Sequence, residues 1–113
     1  MNYRFHRAAL AEHLDEVAFY ESRLQGLGAD YLAEFDAAMA RVCAMPDLYP
    51  SVGAADIRKA GLKRFPFDII YTVTTSNLIV LAVAHQRRRP AYWAGRIAHV
   101  NVSEVDPGRD RQP

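Results

Sequence analysis

The chain has 113 residues and a mass of 12.7 kDa, the size of one domain, and its 50% apolar content is enough for a buried core and too high for a disordered chain. One cysteine excludes an intrachain disulfide, no apolar run reaches the ~20 residues of a membrane span, and MNYRFHRAAL lacks a secretory apolar core, so a cytoplasmic protein is expected. The net charge of +1 conceals a split: residues 1–50 carry four Arg against eight Asp/Glu, residues 51–113 carry ten Lys/Arg against five, and between Ile57 and Arg96 eight cations face Asp68 alone.

Residues 3–6 read as a short first strand. From Ala8 to about Leu24 the spacing predicts a helix, with Leu10, Leu14, Val17 and Leu24 on one stripe and Glu12, Asp15, Glu16 and Glu21 around the rest. Gly26 and Gly28 are expected to stop it, because glycine readily takes the left-handed C-cap conformation. A second helix runs from about Ala29 to Met45 on a seam of Leu32, Phe35, Met39 and Val42, and Pro46 ends it. The short link predicts an antiparallel helix hairpin.

Residues 47–56 read as a loop. Three strands are expected next. Residues 57–65 form a basic strand weakened by Gly61, and residues 67–74 alternate with Phe67, Ile69, Tyr71 and Val73 on one face. Residues 78–85 are apolar on both faces, Leu78, Val80 and Ala82 against Ile79, Leu81 and Val83, which marks a covered central strand. A short helix is expected over 90–97, opened by Pro90. The fold class is α+β: an N-terminal helix hairpin packed on a small antiparallel β-sheet, with residues 1–102 as one domain and 103–113 as a disordered polar tail.

Chemical motifs are sparse. His6, His13, His85, His99 and Cys43 show no metal-ligand spacing, and no metal is expected. Cys43 reads as a core thiol, and Glu12, Asp15 and Glu16 as a solvated helix face. Without a P-loop or a GxGxxG, no cofactor is expected. The informative stretch is residues 85–96, HQRRRPAYWAGR, where three consecutive arginines have no local acid to neutralise them. With Arg58, Lys59, Lys63 and Arg64 they form one positive face on this reading, suited to a polyanion or an acidic protein. Tyr92 and Trp93 either stack on bases or a partner's pocket, or pack back on the sheet.

The ordered set of motifs resembles the RelE/ParE toxin family of bacterial toxin–antitoxin systems, the plasmid stabilisation proteins. The resembling pieces are Ala18-Phe19-Tyr20-Glu21, Leu27-Gly28 with Phe35, Met45-Pro46 with Pro50, Ile57-Arg58, Arg64-Phe65-Pro66-Phe67-Asp68-Ile69-Ile70-Tyr71, and Leu81-Ala82-Val83-Ala84-His85-Gln86-Arg87-Arg88-Arg89-Pro90 with Tyr92-Trp93. The resemblance implies a toxin neutralised by a cognate antitoxin, acting by one of two routes. ParE-like members inhibit DNA gyrase by binding. RelE-like members are metal-independent endoribonucleases that cleave mRNA on the ribosome, and in that branch Lys63, Arg87 and Tyr92 are the catalytic candidates here. Asp68 and Gln86 stand where RNA-cleaving members carry Arg, and a carboxylate there repels the scissile phosphate, so the reading favours the ParE-like branch, a binding inhibitor rather than an enzyme. The expected contact set for gyrase, antitoxin or nucleic acid is Arg58, Lys63, Arg64, Arg87, Arg88, Arg89, Tyr92, Trp93 and Arg96. A non-toxic antitoxin-binding member, and a homodimer or a toxin–antitoxin hetero-oligomer, stay open.

Overall fold

The computed structural model describes residues 1–53, 56–99 and 104–105. Strand β1 (Tyr3–His6) runs straight into helix α1 (Arg7–Arg23), with His6 as N-cap and its Nδ1 accepting from the Ala8 amide at 3.1 Å. Helix α2 (Leu27–Ala44) follows, then a 3₁₀ turn at Pro46–Leu48, and strands β2 (Ile57–Gly61), β3 (Phe67–Val73) and β4 (Leu78–His85). A second 3₁₀ stretch covers Ala94–His99, and Glu104–Val105 form a two-residue β5. The rest of the expected tail, 103 and 106–113, lies outside the described residues.

The sheet order is β2-β3-β4-β1-β5. β2, β3 and β4 form the expected antiparallel meander. β1 joins parallel to β4, so the sheet is mixed, because the two helices between β1 and β2 provide the long crossover that parallel pairing needs. Both helices lie on one face, over a core of Phe5, Tyr31, Phe35, Met39, Val42, Phe67, Ile69 and Tyr71.

Several local expectations shift. α1 buries Ala9 and His13, while Leu14 and Leu24 are 56% and 64% exposed. The phase of α1 is set by its direct continuation from β1, which turns the His13 ring into an aromatic stack with Phe35 (4.1 Å between centroids) and Phe5 (5.3 Å), its Nδ1 3.2 Å from the Tyr31 hydroxyl. Gly26 takes φ +90° at the helix junction, as expected of a glycine stop. Gly28 instead lies within α2, where an added Cβ would come 2.6 Å from the Val17 carbonyl oxygen, so it sets how closely the helices cross. The Glu21 carboxylate accepts from the Gly26 and Gly28 amides at 3.0–3.1 Å and caps α2 across the junction.

β2 stops at Gly61 rather than reaching residue 65, because the next turn is held by α2: Glu34 Oε2 accepts from the Lys63 and Arg64 amides at 2.6 and 3.0 Å. The register slips between Ile70 and Tyr71, which pair with Ala82 and Val80, so β4 carries a bulge at Leu81. Beyond it Val83 joins the helix-side core and Ala82 the outer face, the reverse of simple alternation. The expected helix over 90–97 is a turn followed by 3₁₀ structure, since Ala91 at φ +59° cannot stand in an α-helical first turn.

Tyr71 is fully buried and donates to the Pro46 carbonyl at 2.5 Å, and burial pushes its phenol up to about 12. An unfolded tyrosine titrates near ~10, so as pH rises from there the unfolded chain loses a proton that the folded chain keeps, and stability falls. Tyr31 and Tyr92 are shifted the same way, chiefly by burial. Unfolding midpoints in urea are expected to hold up to about pH 9.5 and fall from there towards pH 12, with a shallower fall in Tyr71→Phe; equal slopes in the two proteins would remove Tyr71 from the effect.

Candidate functional site

The outer face of the sheet, opposite the helices, carries a second apolar cluster of Ile57, Ile70, Ile79, Leu81, Ala82 and Ala84. Trp93 packs on it and is only 8% exposed. Residues 86–99 thus fold back across the sheet after β4 ends.

One side chain on α1 anchors that return. β1 pairs with β4 only as far as Val80. Past that point Glu12 Oε1 accepts from the Val83 amide at 3.0 Å, and the Leu81 carbonyl accepts from Arg96 Nη1 at 2.9 Å. Two side chains therefore satisfy the strand edge that β1 leaves. They also hold each other, with Arg96 Nη1 and Nη2 donating to Glu12 Oε1 and Oε2 at 2.9 Å in a bidentate pair, both side chains less than one-fifth exposed. The Tyr92 hydroxyl donates to Glu12 Oε2 at 2.7 Å. Burial first, and then this hydrogen bond, push the Tyr92 phenol up, and the bond to Glu12 holds Arg96 more firmly cationic. The Arg88 guanidinium stacks 3.9 Å above the Tyr92 ring, with that of Arg96 at 5.1 Å.

Between this returning segment and the 52–53 loop lies an open cleft of about 350 Å³. Its apolar lining includes Ile70, Ala84 and Trp93, and Lys59, Arg88 and Arg89 bring three cations to it. Asp68, His85 and Gln86 complete its polar lining, and Gln86 Nε2 reaches Asp68 Oδ1 at 3.4 Å. His85 Nδ1 accepts from the Arg87 amide at 3.0 Å, so in a neutral ring the other nitrogen carries the proton and donates. Among the described residues, no group of three or more His, Cys, Asp and Glu is placed to hold a metal ion.

The cations singled out in the sequence divide by position. Arg88, Arg89, Tyr92 and Trp93 meet at the cleft. Arg58 does not: it pairs in register with Tyr71, faces the helix side, and donates to the Tyr49 carbonyl at 2.6 Å. Lys63 and Arg64 occupy the turn docked on Glu34, with Arg64 3.7 Å from Asp30 and 3.9 Å from Glu34. That turn meets the arginine turn at the same end of the sheet, where the Gln86 amide donates to the Pro66 carbonyl at 2.9 Å. Arg87 is exposed there, and Arg96 is bound up with Glu12. Lys59, in register with outer-face Ile70, is the cation that β2 contributes to the cleft. Glu12 reads in the sequence as one more solvated acid. Its partners lie 71 to 84 residues away, and no local pattern encodes that distance.

Residues 3–90 match the family model of the ParE toxin of the type II toxin-antitoxin system, parDE. The chain belongs to the ParE toxin family. Seven chains of solved structure resemble this family member. One is described as the chromosomal ParDE TA system from P. aeruginosa, with a TM-score of 0.61 and 16% identity over 75% of this chain and 95% of that one. At that identity the likeness is one of fold, and it agrees with two helices on one face of a mixed sheet. No curated protein matches this ParE family member. The family match ends at Pro90, so Tyr92, Trp93 and Arg96 lie beyond it. Among the described residues, no helix is long and apolar enough to cross a membrane.

Proposed function

We propose that this ParE family member is a toxin that acts by binding DNA gyrase and is neutralised by a cognate antitoxin, with the Arg88–Arg89 end of the sheet as its contact surface. The observation that carries the binding reading is the state of the cleft's proton-transfer groups. The Tyr92 hydroxyl is committed to Glu12, and the His85 Nδ1 lone pair to the Arg87 amide. Asp68 opposes a phosphate at the same place. Cutting RNA at a 2′-hydroxyl needs a base, an acid and a stabilised phosphorane; here Tyr92 and His85 Nδ1 are engaged as bases, and Asp68 sets a negative charge against the cations that would steady the phosphorane. Binding needs only differential affinity for one state of the target, and a cationic rim over an apolar floor suits a complex of protein and DNA.

The test combines purified gyrase with cells. With gyrase, the chain is expected to inhibit supercoiling and to accumulate the cleaved enzyme–DNA complex. On induction in bacteria, pulse labels are expected to show DNA synthesis falling before protein synthesis, with reversal when the antitoxin is co-expressed. Translation failing first, with cut mRNA, would establish the endoribonuclease instead, and growth unaffected by induction would leave a non-toxic antitoxin-binding protein.

A further inference from the structure

We infer that Glu12 is the positioning residue of the arginine segment: from α1, through Tyr92 and Arg96, it sets where the Arg88 guanidinium stands at the cleft. Glu12 is outside the lining of the cleft and forms no hydrogen bond or ion pair with Arg88. It acts through the Tyr92 ring, which carries two guanidiniums, Arg88 at 3.9 Å and Arg96 at 5.1 Å. Two like charges on one ring repel, and the Glu12 carboxylate lowers that repulsion by offsetting the charge of Arg96, which it binds bidentately. The same carboxylate fixes the ring by accepting from its hydroxyl at 2.7 Å, and fixes α1 to β4 through the Val83 amide at 3.0 Å. Take the charge away and Arg96 remains as an uncompensated, partly buried cation beside Tyr92, so the ring loses an anchor and Arg88 meets the full repulsion of Arg96. Arg88 therefore depends on a carboxylate to which it is not bonded, 76 positions earlier in the chain.

The inference rests on the reading of Arg88 as a binding group, and its test separates the two. In ¹⁵N-labelled full-length chain, the Arg88 Nε–Hε resonance is expected to be ring-shifted by Tyr92, and to move to the free-arginine position in Glu12→Gln. Tyr92→Phe, which removes one hydrogen bond and keeps the ring, is expected to move it part of the way and serves if Glu12→Gln does not fold. Gyrase affinity is expected to fall about tenfold in Glu12→Gln, and by less than about twofold more when that change is added to Arg88→Ala, the pattern of two residues acting through one contact. An Arg88 resonance unmoved in both variants would overturn the inference. So would an equal tenfold loss with and without Arg88, which would mean that Glu12 only holds the fold. If the chain binds no gyrase, the functional proposal fails and the resonance alone decides the positioning role.

Discussion

Replacing Arg88 and Arg89 together by alanine is expected to raise the concentration for half-inhibition of gyrase by about 100-fold, since truncating interface arginines at a hot spot costs ~2 kcal/mol or more and each 1.4 kcal/mol is tenfold. Both guanidiniums stand at the cleft, Arg89 forms no ion pair with a described residue, and Arg88 is oriented by the Tyr92 ring. Their removal should leave the fold in place, because both residues are exposed, and circular dichroism melting should move by no more than a few degrees. Arg41→Ala, exposed on α2, removes a cation elsewhere and tests whether net charge alone matters. If Arg41→Ala weakened inhibition as much as the double change did, the arginine turn would have no special role. If the double variant inhibited gyrase undiminished, the contact surface would lie elsewhere on the toxin.

Trp93→Ala is expected to lower stability by about 3–5 kcal/mol, the usual cost of emptying a large aromatic site. Trp93 is the large side chain that covers Ile70, Ile79, Leu81 and Ala84 on the outer face. The helices shield only the opposite face, so its removal opens this cluster to water. For a domain of this size the melting midpoint should fall by more than about 10 °C in calorimetry, with part of the loss restored in Trp93→Phe. A fall below about 3 °C would mean that the outer face is covered without it. Gyrase inhibition should fall with folding here, in contrast to the arginine variant, which separates a packing residue from a contact residue one turn away.

Much of the fold was legible because it is written at short range. The bounds of β4 follow from an apolar run covered on both faces, those of β3 to within a residue from period-two alternation, and α2 from a three-four seam ended by Pro46. The family motifs, read in order, led to the family that the match over residues 3–90 assigns. The clustering of Arg88, Arg89, Tyr92 and Trp93 at one cleft follows from their closeness in sequence at a strand end. The two halves of the charge split are likewise visible in composition alone.

What the chain could not show locally depended on which elements meet. The phase of α1 differs from its apolar stripe because its burial is decided by β1 before it and α2 beside it, which bring His13 inward and leave Leu14 out. Gly28 looked like a stop signal, yet its need arises from the approach of the Val17 carbonyl on another helix. Arg58 and Lys59 are adjacent in sequence, but strand pleating sends one to Tyr49 and the other to the cleft. Glu12 is the sharpest case. A lone acid on a helix is neutral information until β1 ends short of Val83 and leaves a strand edge for a carboxylate to satisfy. Local periodicity thus determined the elements, and the ordered motifs pointed to the family. The tertiary structure alone decided which cations share a surface and which carboxylate holds them, because hydrogen bonds and ion pairs depend on distance in space, and long-range pairing sets that distance independently of position in the chain.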